Sequence, residues 1–144
     1  MKKYIKTVLI PLNVKNLNNR IYTKDSFKDF PKKEYYIEEL PTVCARTPYI
    51  QLEHIKGVVK NARIEDNALV GDVTILKVPF VQHIEDYLDN GRMVVRPMST
   101  AKVNEDGVVT ECIILGFQFI MKDTDSFVIV SMIESPSVEY PDLF

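Results

Sequence analysis

VVKNARIEDNALVGDVTIL, residues 58–76, is the stretch of sequence that decides the fold. Two runs rich in valine and isoleucine flank Glu65-Asp66-Asn67, and both alternate partly between apolar and polar residues. A period of two is typical of a half-buried strand, and a short polar triplet containing Asn is typical of a tight turn. The stretch therefore predicts a β-hairpin.

Further strands are predicted on both sides of this hairpin. Asn104-Glu105-Asp106-Gly107 is a strong hairpin turn, and Lys122-Asp123-Thr124-Asp125 is a second polar turn. A break is expected at Pro97, because proline lacks the N–H that a strand ladder needs. The predicted strands, which are rich in β-branched residues, are 4–10, 92–103, 108–121 and 127–133.

One main helix is predicted after the hairpin. Pro79 can occupy a first helical position, and Phe80, Ile84 and Leu88, spaced by four, make one apolar face. Asn90-Gly91 is typical of a C-terminal cap. This helix is the only long one that the pattern indicates.

The region between the first strand and the hairpin has no clear period. Thr23 can cap a short helical turn that ends before Pro31. Residues 31–48 contain three prolines and an irregular pattern, so a loop is predicted there. The whole pattern predicts one domain over residues 1–144, α+β but mainly β. We expect a partly closed antiparallel β-barrel of about six or seven strands with one main helix.

Composition excludes several classes of function. The net charge of −2 and the absence of a run of Lys and Arg argue against nucleic acid as a partner. No window approaches 18 apolar residues, so no membrane span is predicted. Cys44 and Cys112 lack the spacing of a metal site, and the 5 glycines form no phosphate-binding cluster. We therefore predict no metal and no cofactor, and cysteines that are buried in a protein made in a reducing cytoplasm.

Five short sequence motifs follow one another along the chain. They are Asn18-Asn19-Arg20-Ile21-Tyr22, Leu52-Glu53-His54-Ile55, Leu88-Asp89-Asn90-Gly91, Val94-Val95-Arg96-Pro97-Met98-Ser99 and residues 130–137. In this order they resemble the phage prohead (capsid maturation) protease family, whose fold is the β-barrel shared with herpesvirus assemblins. The resemblance implies a barrel in which His54 stands at the position of the catalytic histidine.

The resemblance also implies that the catalytic serine is missing. The two serines of the family's motif correspond to Arg96 and Pro97, and neither side chain can be an oxygen nucleophile. Pro97 also removes a backbone N–H where oxyanion donors are expected. Ser99 lies two or three residues farther along, and its use as a nucleophile with His54 requires a β-bulge beside it. We therefore expect a catalytically inactive member, with no catalytic residue assigned.

Three functional readings remain open. The leading one is a virion-associated structural protein, made in the host bacterial cytoplasm, that uses the barrel to bind capsid or other virion proteins. The second is an active maturation protease that uses Ser99 and His54. The third is a small phage-encoded inhibitor that binds a host protein. Dimers and trimers are equally compatible with the sequence.

Contact residues for the binding reading are predicted in the loop 31–48 and in the apolar tail. Aromatic and large apolar residues in such segments are favoured anchors of protein interfaces. The alternative, left open, is that they cover the domain's own core. The candidate binding residues are Tyr35, Tyr36, Ile37, Leu40, Tyr140, Leu143 and Phe144.

Overall fold

The computed structural model describes residues 2–16, 19–27, 34–39 and 52–122, and the backbone of residues 138–139. Short 3-10 helices lie at Lys24–Ser26 and Leu52–His54, and one α-helix, α1, spans Gln82–Asp89. The strands are β1 (Lys3–Pro11), β2 (Glu34–Glu38), β3 (Ile55–Glu65), β4 (Ala68–Ile75), β5 (Met93–Val103), β6 (Val109–Met121) and β7 (Val138–Glu139).

The seven strands form one sheet in the order β1-β4-β3-β2-β6-β5-β7. The sheet curls until β1 approaches β5, where the Arg96 side chain of β5 donates hydrogen bonds to the Val8 and Leu9 carbonyls of β1. The prediction of a mainly β, partly closed barrel with one helix is confirmed. One pair departs from the antiparallel pattern, because β2 and β6 run parallel, with Ile37 beside Phe117 and Glu38 beside Gln118.

The core fills the inner face of this curled sheet. It contains buried side chains from every strand between β1 and β6, and Tyr22 from the loop after β1 joins it. Tyr35 of β2 meets Phe117 of β6 edge to face, with ring centroids 5.5 Å apart. This is a preferred geometry for aromatic pairs. Residues at the centre include Leu9, Ile10, Ile37, Val59, Leu69, Ile75, Val95 and Phe117.

The hairpin that was predicted in residues 58–76 is confirmed, and its strands are β3 and β4. Asp66 and Asn67 form its turn, and their φ angles are 51° and 62°. Positive φ at both central residues is the geometry of a type I′ turn, which Asn and Asp tolerate better than most residues. The polar triplet therefore fixes the register of β3 and β4.

Two predictions about the loop regions and β5 were wrong. Glu34–Glu38 lies in the segment predicted as loop, yet it forms the strand β2 between β3 and β6. β2 is buried because it pairs with β3 and β6, which are far along the chain, and the local spacing of apolar residues does not reveal such pairing. β5 continues through Pro97 without a break. Among the described residues, β5 has a neighbour at Pro97 only on its β6 side, and such an edge position tolerates proline.

The start of the helix also differs from the prediction. α1 begins at Gln82, so Pro79 precedes it. Phe80 has a φ of 63°, and the residue is 82% exposed. The Lys56 ammonium donates a hydrogen bond to the Pro79 carbonyl, which holds the loop against β3 and away from the helix axis. Ile84 is buried as predicted, and Gly91 follows the helix with a φ of 70°.

Asp72 of β4 connects two β-bulges in its neighbouring strands. β1 gains an extra residue between the pairs Tyr4–Val73 and Thr7–Gly71, and β3 does so between Lys60 and Arg63. Lys6 and Asn61, one in each bulge, have φ angles of 55° and 53°. The Asp72 carboxylate accepts the Lys6 backbone N–H at 3.1 Å and the Asn61 side-chain amide at 3.2 Å. One carboxylate therefore satisfies groups in both bulges.

Replacing Asp72 by alanine is expected to lower the free energy of unfolding at neutral pH by about 1–2 kcal/mol. The Lys6 backbone N–H and then the Asn61 amide hold the pKa of Asp72 below its usual range. A lowered carboxyl pKa gives stability that is present above the unfolded-state pKa, near 3.9, and is lost as the pH falls through the folded-state pKa. Urea unfolding at pH 7 and at pH 3 measures this.

The control is Asp106→Ala, in the exposed turn between β5 and β6. It is expected to change the free energy of unfolding by less than about 0.5 kcal/mol at either pH. An Asp72→Ala deficit that stays constant down to pH 3 would contradict the assigned role of the ionised carboxylate.

Candidate functional site

Residues 94–99, where the resemblance led us to expect that a nucleophile is missing, lie in β5, and Arg96 reaches β1. Arg96 Nη1 donates to three backbone carbonyls, those of Val8 at 3.2 Å, Leu9 at 3.3 Å and Val95 at 3.0 Å. A guanidinium suits this task because its N–H donors fan out in a plane. Arg96 thus joins the two edges of the sheet.

Ser99 lies on the same strand, three residues beyond Arg96. It is paired with Ile114 of the core, so its side chain faces inward, and only 1% of the residue is exposed. A bulge does occur beside it, but the extra residue is Leu115 in β6, because Met98 pairs with Gly116 and Ser99 with Ile114. Within the described residues, Ser99 Oγ has no hydrogen-bond partner.

His54 ends the short helix that precedes β3. Its backbone carbonyl accepts the Glu39 N–H at 2.9 Å, and its Nδ1 is buried without a partner among the residues that the structure describes. Two strands, β2 and β6, separate β3 from the Ser99 strand, which is about 14 Å along the sheet at roughly 4.8 Å per strand. The structure therefore does not bring Ser99 Oγ into a hydrogen bond with His54.

Two polar pairs that the sequence analysis did not select lie at the end of β2. Gln118 Nε2 donates to Glu38 Oε1 at 2.7 Å, and both residues are almost completely buried. Next to them, His83 Nε2 of α1 lies 2.7 Å from Glu39 Oε2. His83 is half-buried. Glu38 and Gln118 are far apart in sequence, so only their place in the parallel strand pair could identify them.

The candidate binding residues separate into three groups. Tyr35 and Ile37 point into the core, whereas Tyr36 between them is 54% exposed. Leu40, Tyr140, Leu143 and Phe144 lie outside the described residues. Tyr36 is thus the described member whose large side chain is exposed to solvent.

The facing edges of β1 and β5 enclose a pocket of about 280 Å³ that is open on one side. We call the facing edges (residues 4–9 of β1 and 93–96 of β5) the seam, and the cavity between them the seam pocket. Most of its wall is apolar, and its polar side chains are those of Tyr4, Thr7 and Arg96. The seam pocket is lined by Tyr4, Thr7, Val8, Val73, Leu88, Met93, Val94, Val95 and Arg96.

The outer edge of β1 is protected against strand pairing. The bulge at Ile5 and Lys6 interrupts its ladder, and Lys2, Lys3 and Lys6 are exposed along it. Bulges and lysines are common devices that prevent edge-to-edge association. At Val8 and Leu9 the carbonyls already accept hydrogen bonds from Arg96. A ligand at this place would therefore contact the side chains of the seam pocket more than the backbone of β1.

Within the described ranges, no helix is long and apolar enough to cross a membrane. The same residues contain no cluster of three or more His, Cys, Asp or Glu with the geometry of a metal site. The chain matches no protein-family model, no curated protein and no solved structure. The residues of this chain and their geometry are therefore the basis for assigning a function.

Proposed function

We propose that this chain is a structural component of a phage particle, a non-enzymatic binding module that resembles the prohead proteases in its barrel. Capsid or other virion proteins are its partners, and it is made in the host bacterial cytoplasm. The observation that carries the proposal is the use of Arg96: the residue at the serine position links two sheet edges. An arginine that ties β5 to β1 serves the stability of the fold at the position where the resemblance expects a nucleophile.

The state of Ser99 supports the absence of catalysis. A serine nucleophile needs a base within hydrogen-bond reach and an approach for the substrate. Ser99 Oγ faces the core, and 1% exposure leaves no approach from solvent in this arrangement. Its separation from His54 by two strands argues in the same direction.

Exposed apolar side chains support the binding half of the proposal. Phe80 combines a φ of 63° with 82% exposure, although its ring loses hydrophobic stabilisation in water and its backbone is strained. Lys56 Nζ lies 5.9 Å from the centre of this ring. Together with Tyr36 on β2, Phe80 is the kind of aromatic anchor that protein interfaces use.

The experiment is mass spectrometry of purified particles of the phage that encodes this chain. If the chain is a structural protein, it is expected among the particle proteins. Its abundance relative to the major capsid protein gives its copy number. Absence from particles, with recovery of a host protein in a pull-down from infected cells, would favour the inhibitor reading instead. Capsid processing is measured in the same infections.

The protease reading remains a second candidate because of one observation. Ser99 Oγ and His54 Nδ1 are both buried without a hydrogen-bond partner in the described part of the chain. Unsatisfied buried polar atoms are uncommon and occur at functional sites. A movement that joins the two atoms would give them partners.

Ser99→Ala distinguishes the two readings. We expect unchanged processing of the major capsid protein, and a free energy of unfolding that is unchanged within about 0.5 kcal/mol or is higher, because an unsatisfied hydroxyl is removed. The control is Ser26→Ala, since Ser26 Oγ is buried and donates to the Val109 carbonyl at 2.5 Å. That variant is expected to lose about 1–2 kcal/mol. Loss of capsid processing in Ser99→Ala, with a stable fold, would establish the protease.

A further inference from the structure

The Phe80 ring projects from the surface of the molecule just before α1. The residue is 82% exposed, and its φ of 63° lies in the left-handed region, where a residue with a bulky side chain is strained. The Lys56 ammonium donates a hydrogen bond to the Pro79 carbonyl and lies 5.9 Å from the centre of the Phe80 ring. The fold therefore presents this ring at a defined place on the surface and does not bury it.

The seam pocket matches one aromatic ring in size and chemistry. Its volume of about 280 Å³ is just below the usual range for small-molecule pockets, about 300–1,000 Å³, and suits one or two side chains. Three residues of its wall favour an aromatic occupant, namely Tyr4, Met93 and Arg96. The flat face of a guanidinium can stack on a ring while its N–H groups donate in the plane, as those of Arg96 do to β1.

Phe80 does not reach the seam pocket of its own molecule, because α1 separates the two. Phe80 precedes the first residue of α1, whereas Leu88, in the last turn of the helix, lines the pocket. A helix of this length spans about 12 Å, at 1.5 Å per residue. Ile84, in the middle of α1, is 0% exposed and holds the helix against the core. The ring and the pocket of one molecule therefore stay apart.

We propose that Phe80 of one molecule inserts into the seam pocket of a second copy of this chain. The two surfaces that meet are different, so the contact is heterologous, and every copy offers one ring and one pocket. Successive copies form a closed ring or an open row, depending on the rotation between neighbours. The inference goes beyond the proposed function and does not depend on it, since the contact needs this chain alone.

Insertion removes apolar surface from water on both copies. The Phe80 ring is covered, and so is Val8, which lines the pocket and is 45% exposed. A phenylalanine buries about 150–250 Å², far less than the about 1,200–2,000 Å² of a stable interface. A single contact is therefore weak, with a dissociation constant on the order of 0.1–1 mM. Closing a ring strengthens the assembly, because each copy then makes two contacts.

Two complementary variants test the proposal by sedimentation velocity of the purified chain at about 0.05–1 mM. Phe80→Ala keeps the pocket and lacks the ring, and its association constant is expected to be at least about tenfold lower than that of the unaltered chain. Val8→Trp keeps the ring and fills the pocket, and the same loss is expected. A mixture of the two variants is expected to form one-to-one dimers and nothing larger, because the pair retains one ring and one pocket that can meet.

The matched control is Ile113→Ala, which removes a 49% exposed apolar side chain outside the seam pocket. It is expected to associate as the unaltered chain does. Circular dichroism checks that each variant is folded, and Val8→Lys blocks the pocket if Val8→Trp disturbs the fold. An unaltered chain that stays monomeric at about 1 mM, association of Phe80→Ala equal to that of the unaltered chain, or no dimers in the mixture would each overturn the proposal.

Discussion

Replacing Phe117 by alanine is expected to lower the free energy of unfolding by about 3–5 kcal/mol. Phe117 is 0% exposed, and its ring contacts Tyr35 edge to face. It is paired with Ile37 of β2 on one side and with Pro97 of β5 on the other. Its removal therefore leaves a cavity at the junction of three strands. Urea unfolding, followed by circular dichroism at a fixed pH, measures the change.

Two variants of β6 define how specific this effect is. Ile113→Ala removes an apolar side chain from the same strand at a position that is 49% exposed, and less than about 1 kcal/mol is expected. Phe117→Leu keeps most of the volume and is expected to fall between the two. If Phe117→Ala were as stable as Ile113→Ala, Phe117 would not be at the centre of the core.

Replacing Arg96 by alanine is expected to lower the free energy of unfolding by about 2–3 kcal/mol, because hydrogen bonds from charged donors are worth more than neutral ones. The variant removes the donor that the Val8 and Leu9 carbonyls share. It also opens the seam, so backbone amides of β1 and β5 should exchange faster with solvent. Chemical unfolding and hydrogen exchange measure the two effects.

Arg92→Ala is the matched control for this prediction. Arg92 is exposed, and its guanidinium carbon lies 5.4 Å from the Tyr87 ring centre, a contact worth about 0.5–1 kcal/mol at such sites. Its loss should leave hydrogen exchange in β1 unchanged. Arg96→Lys keeps one charge but not the fan of donors, so partial recovery is expected. If Arg92→Ala also made the β1 amides exchange faster, the effect would not be specific to Arg96, and the assigned role of Arg96 at the seam would be contradicted.

Much of the sheet could be predicted from the sequence, because its hairpins are local. The β3–β4 turn has residues that tolerate positive φ, and Asn104–Gly107 similarly indicates the turn between β5 and β6. β2 could not be predicted, since its five residues pair with β3 and two of them also pair with β6, and both partners come from distant parts of the chain. Phe80 was misassigned because helical spacing alone cannot show that Lys56 holds the preceding loop.

Little of the candidate site could be predicted from the sequence. The resemblance to prohead proteases implied that Arg96 and Pro97 replace serines, but not that Arg96 reaches the carbonyls of β1. That contact spans 88 positions along the chain to Val8. Use of Ser99 as a nucleophile required a bulge beside it, and the bulge that the structure has there places its extra residue in β6. Neither the spacing of apolar residues nor a sequence motif predicts the buried Glu38–Gln118 pair.

The parallel contact between β2 and β6 has a consequence for how the chain assembles. The β3–β4 and β5–β6 hairpins can form from contacts that are close in sequence, whereas Glu38 and Gln118 are 80 positions apart. Closing so long a loop is entropically expensive before any contact rewards it, and high contact order slows folding. We therefore expect β2 to dock after the two hairpins have formed and to join them into one cooperative unit. Until it docks, the edges of the hairpins that β2 covers stay unpaired and open to aggregation.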